Sequence, residues 1–66
     1  MNSKDELVVL FRKLLKLEET ARDLYTGFLK DMTDPDLVKD VTFIRDQEIN
    51  HVNLAKQALQ ILGERV

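Results

Sequence analysis

Sixty-six residues with twelve acids, ten bases and no cysteine allow one small domain, without disulfides or thiolate metal sites. The net charge of -2, with both signs interspersed, lacks the concentrated basic face of a nucleic-acid binder. No apolar run nears the ~20 residues of a membrane span, and "LVVLF" stops at Arg12, too soon for a secretory leader; a soluble cytoplasmic protein is expected.

The first helix is announced by "SKDE", a capping box with Ser3 as N-cap and Glu6 three residues on. Its apolar seam runs through Leu7, Phe11, Leu14, Glu18, Ala21, Tyr25, Phe28 and Met32, which predicts a helix over about Ser3–Met32. Arg12, Lys13 and Lys16 form the one basic cluster. Acids at Asp5, Glu6, Glu18 and Glu19 flank it on both sides, which argues against a membrane-surface role. Gly27 costs this helix about 1 kcal/mol relative to alanine.

The break is "TDPDL", where Asp34 suits the cap of a second helix and Pro35 its first position, at which a missing N–H costs nothing. The second helix is expected over about Pro35–Leu62, with Gly63 as its stop. Its seam reads Leu37, Val41, Ile44, Glu48, His51, Ala55, Ala58 and Leu62. Both seams step by four and three, the spacing of knobs packed into holes. The expected fold is all-α: a single domain, residues 1–66, folded as an antiparallel two-helix hairpin.

Such a hairpin is short of core. A chain of this size buries only about 60% of the surface it exposes unfolded. Scaffolds below roughly 70–80 residues need a disulfide, a metal or a partner subunit. Further apolar stripes (Leu10, Leu17, Leu24 on the first helix; Val38, Val52, Leu59, Ile61 on the second) widen the faces beyond what one neighbour covers. The hairpin is therefore expected to dimerise into a four-helix bundle. Val8, Val9 and Leu15 lie off the main seam, either broadening that contact or joining dimers into a larger ring.

Three ionisable residues interrupt the seams: Glu18, Glu48 and His51. In a tight hairpin, positions lie level when their residue numbers sum to about 67. Glu18 meets that condition with both Glu48 and His51 to within a turn. The layer also falls near the middle of each helix, so a two-fold axis across the hairpin brings two such layers together. Four carboxylates enclosed in an apolar bundle require protons or cations. Two divalent ions balance the charge, with Glu48 and His51, at i and i+3, meeting one ion and Glu18 approaching from the facing helix. Glu19 points off the seam and reads as a solvated charge. Tyr25, on the Glu18 face, is either an ordinary core residue or a hydroxyl that hydrogen-bonds a ligand carboxylate. Asp23, Gln47 and Asn50 are candidates to hold the free nitrogen of His51.

"EETARDLY" (Glu18 to Tyr25) resembles the first-helix signature of rubrerythrins, and "QEINHVNLAKQAL" resembles their Glu-x-x-His helix. The similarity is to the ferritin-like superfamily and covers nearly the whole chain. It looks most like the two-helix encapsulated-ferritin type, whose metal site forms between subunits. That resemblance implies Glu18, Glu48 and His51 as metal ligands, Tyr25 as their hydrogen-bonding neighbour, and two Fe ions per homodimer, with Mn or Zn as alternatives. It also implies oxidation of Fe(II) by dioxygen or reduction of peroxide. The chain carries only half of a typical four-helix member. It has no cysteine for a rubrerythrin's iron relay, and no targeting tail is expected after "LGERV". The alternative expectation is a non-catalytic module for oligomerisation or partner docking, with a structural metal or none.

Overall fold

The computed structural model describes residues 3–66. Helix α1 runs over Ser3–Asp31 and helix α2 over Pro35–Ile61, and the described residues contain no strand. Each helix ends within a residue of its expected limit. Ser3 is itself the first helical residue, one step inside the place expected for a cap.

The connection works as its residues dictate. Asp34 is extended, with φ -70° and ψ 120°. Its Oδ1 accepts the backbone N–H groups of Asp36 at 2.9 Å and Leu37 at 3.1 Å, satisfying donors that have no partner within the helix. Pro35 follows at the first turn. At the far end, Gly63 takes φ +84°, a conformation that residues with a Cβ seldom adopt. The Glu64 N–H then reaches the Leu59 carbonyl and the Gly63 N–H the Gln60 carbonyl, each at 2.9 Å, the paired bonds of a Schellman stop.

The two helices form a rod of 49 × 16 × 15 Å. Its inner seam differs from the expected one. Along α1 and just past its end the covered positions follow Val8, Phe11, Leu15, Glu18, Arg22, Tyr25, Leu29 and Met32; along α2 and its cap they follow Val38, Val41, Arg45, Glu48, Val52, Ala55, Leu59 and Leu62. Every second member of each predicted seam is correct. Of the remainder, Leu7, Leu14, Phe28, Leu37, Ile44 and His51 are exposed, while Ala21 and Ala58 are half-buried.

The reason is chemical. Arg22 and Arg45 occupy the true seam at the same height, which made that row look polar. A long arginine can lie along an apolar surface and send its guanidinium out to water. Arg22 Nε donates to Asp23 Oδ1 at 2.9 Å and Arg45 Nε to Asp46 Oδ1 at 3.0 Å.

Only Val52, Ala55 and Leu59 are fully buried among the described residues, and none of them lies on α1. The apolar rows displaced from the seam face outward together. Leu14 of α1 and His51 and Leu54 of α2 line one groove with Phe11, Glu18 and Ala55, so the exposed rows of both helices share a side of the hairpin. No described helix is long and apolar enough to cross a membrane.

Candidate metal centre

Glu18 sits midway along α1. Glu48 and His51 sit midway along α2, one turn apart on neighbouring faces, where an i,i+3 pair can meet the same partner. The hairpin turn fixes their relative height, and the structure brings all three together. His51 Nδ1 lies 3.1 Å from Glu18 Oε2 on the other helix and 3.8 Å from Glu48 Oε2 on its own. One potential ligand atom from each lies within 4.8 Å of the others.

The two carboxylates are sheltered, with side chains 20% and 19% exposed for Glu18 and Glu48, while the His51 ring is 53% exposed. The cluster is thus rooted between the helices and opens onto the apolar side. Beside it lies the groove of about 190 Å³, with Phe11, Leu14, Leu54 and Ala55 as its apolar walls.

Glu48 is held above the ordinary carboxyl range. The main cause is a hydrogen bond with the Glu18 side chain, followed by desolvation and the Glu18 charge; His51 acts in the opposite direction. Two carboxyls this close favour sharing a proton over both ionising. A cation placed between them relieves the same repulsion by displacing that proton.

The donor set fits a metal. Carboxylate oxygen and imidazole nitrogen suit Fe(II), Mn(II) and Zn(II), and affinity order alone does not choose among them. Three protein ligands from one chain also leave coordination positions for further donors.

Tyr25 is half-buried, and its ring meets Phe28 edge-on with centroids 6.4 Å apart at 71°. Within the single chain its hydroxyl makes no hydrogen bond to the three clustered residues. None of the three candidates for the second nitrogen of His51 bonds it either. Asp23 is engaged by Arg22, whose pKa is raised first by that hydrogen bond and, more weakly, by the charges of Asp23 and Glu19. Glu19 therefore belongs to the Arg22 neighbourhood rather than to the cluster. Sequence reasoning passed over the groove beside the cluster. Its signal was present in Phe11 and Leu14, two turns and one turn before Glu18, and in Leu54, one turn after His51.

Compared with family models, with curated proteins and with solved structures, the chain matches none.

Proposed function

We propose that the hairpin is half of a ferritin-like di-metal carboxylate bundle, in which two copies gather Glu18, Glu48 and His51 around two iron ions and oxidise Fe(II). The observation that carries this reading is the convergence of two sheltered carboxylates and one imidazole within 4.8 Å, at mid-height of the hairpin and beside an apolar groove. One Glu from each of two helices and Glu-x-x-His from each of the other two is the donor set of di-iron carboxylate bundles. A single copy supplies half of it.

Fe(II) is here the substrate, and dioxygen or peroxide the electron acceptor. Two Fe(II) ions give up one electron each; peroxide takes both with two protons as its O–O bond breaks, leaving two waters. With dioxygen, the same two electrons and two protons yield hydrogen peroxide. The chain provides the setting. Glu18 and Glu48 are hard anionic donors that favour the ferric product. His51 is oriented by its contact with Glu18, and a cation entering between the carboxylates competes with the proton that the raised Glu48 carboxyl favours. Phe11, Leu14 and Leu54 keep bulk water from one side.

Anaerobic titration with Fe(II), followed by exposure to air, tests the proposal. Binding of about one ion per chain and ferric absorbance growing faster than in protein-free buffer are expected, with both lost in Glu48→Ala. Absence of stoichiometric binding by the wild type overturns it.

A second reading is favoured by the small number of buried residues: the cluster is a metal staple for a non-catalytic oligomerisation or docking module. Under that reading Glu48→Ala loses the folded dimer in the presence of metal. Under the first, the variant keeps the dimer and loses oxidation.

A further inference from the structure

The groove beside the cluster is walled by Phe11, Leu14, Leu54 and Ala55, and by Glu18 and His51 at one end. In the hairpin register Leu14 stands level with Leu54 and Phe11 with Ala55, one and two turns from Glu18 on the side away from the connection. The groove thus starts at mid-height, on the cluster, and runs about 10 Å toward the open end of the hairpin. Its head is acidic and the rest is hydrocarbon.

No basic side chain of the protein serves that acidic head. Arg12, Arg22 and Arg45 each hold another acid, at Glu64, Asp23 and Asp46. Among the described residues, Glu18 and Glu48 meet His51, and no lysine or arginine pairs with either.

We infer that this cleft binds a primary amine with a short apolar tail, the ammonium seated on Glu18, Glu48 and His51 and the tail lying along the groove. A few convergent polar groups at the end of an apolar cleft are the usual make-up of a small-molecule site. All the residues lie on one chain, so the inference depends neither on a second copy nor on iron.

The head fits by number and by distance. An ammonium carries three N–H donors; two carboxylate oxygens and the lone pair of a neutral imidazole are three acceptors. Three atoms no more than 4.8 Å apart lie within about 2.8 Å of a common point, and a nitrogen just above it reaches all three at hydrogen-bond length. The tail fits by size. The groove holds about 190 Å³, and a cavity of about 150 Å³ admits the six carbons of benzene. An anionic head meets like charge here, and a neutral head leaves both carboxylates without a counterion. A divalent ion uses the head of the site but leaves the apolar walls wet.

The test is an NMR titration of chelator-treated protein near neutral pH with alkylammonium chlorides. Hexylamine is expected to shift the His51 ring and the Leu14 and Leu54 methyls together and saturably. From ethylamine to hexylamine, affinity is expected to rise about twofold per methylene, half the effect of full burial on a logarithmic scale, because the groove is open on one side. Hexanol and hexanoate are expected to bind about tenfold or more weakly, since each loses the charge-assisted bonds. Leu54 is 60% exposed, so Leu54→Ala spares the fold and is expected to flatten the rise with chain length. Hexanol binding as tightly as hexylamine, affinity indifferent to chain length, saturable shifts that bypass His51, or no saturation at all overturns the inference. Iron binding without hexylamine binding overturns this inference alone; hexylamine binding without iron binding supports it while the metal reading falls.

Discussion

His51 Nδ1 lies 3.1 Å from Glu18 Oε2 across the two helices, although 33 positions separate them in the chain. The contact couples the fold to the chemistry, because Asp34, Pro35 and the short connection set the register that makes it. If the ring's proton is on Nδ1, it donates to Glu18 and leaves Nε2 as the free donor atom. If the proton is on Nε2, Nδ1 turns its lone pair toward the carboxylates and takes their place in line for a cation. Replacing Glu18 by Gln keeps the size and removes the charge. It is expected to weaken metal binding at least tenfold, measured by competition with a chelator, while helix content by circular dichroism stays unchanged.

The pH dependence follows from Glu48, whose folded-state value lies above the ordinary 4.5. A raised carboxyl value means that the folded state holds its proton longer than the unfolded state does. The metal-free protein is therefore most stable, with respect to this group, below pH 4.5, and loses that contribution as the pH climbs through the folded value. Metal binding runs the other way, since the proton competes with the cation and affinity rises with pH. Thermal melts of metal-free protein across this window, with and without Glu48→Gln, check the sign. The substitution is expected to flatten the loss of stability on the alkaline side.

Among the described residues, Leu59 is the one large side chain shut completely away from water. Truncation to alanine costs about 2–5 kcal/mol at such a site. Small domains hold only about 5–15 kcal/mol in all, and a two-helix rod stands at the lower end. Leu59→Ala is expected to lower the midpoint of urea unfolding sharply or to abolish the folded state. Leu24→Ala, at a position more than half exposed in the single chain, is expected to leave the hairpin folded and to weaken its self-association, read by sedimentation.

At Gly27, an added Cβ meets nothing within 4 Å. Gly27→Ala is expected to stabilise α1 by about 1 kcal/mol. For a domain this small that raises the melting midpoint by about 4–8 °C. The opposite change is expected of Asp34→Ala, which removes the acceptor for two backbone donors and costs about 1 kcal/mol, seen as a lower midpoint. Together they test whether the helix ends and exposed faces behave as the structure draws them.

Much of this was legible in the sequence because it rests on local chemistry. Asp34-Pro35 and Gly63 each have one dominant backbone preference, so both helices ended within a residue of their predicted limits. The common height of Glu18, Glu48 and His51 followed from the hairpin register alone. What failed was the rotation of each helix about its axis. Apolar content selected the rows of Leu14 and Ile44, whereas the structure turns the rows of Arg22 and Arg45 inward. An arginine's apolar stem can be covered while its head reaches Asp23 or Asp46, and a count of residue types does not register that. The error was informative, since the large apolar residues wrongly assigned to the hairpin's own core, such as Leu7, Leu14, Phe28, Leu37 and Ile44, stay exposed in the single chain. Of the three candidates for the second nitrogen of His51, Asp23 is taken by Arg22, and neither Gln47 nor Asn50 bonds the ring in the single chain.

The central claim is tested most directly by anomalous diffraction at the iron edge from crystals grown with Fe(II). The account predicts a peak bounded by Glu18, Glu48 and His51, with a second peak close by across the two-fold from the same residues of the partner copy. Iron-loaded crystals with no peak there, or with those three side chains facing open solvent, contradict it.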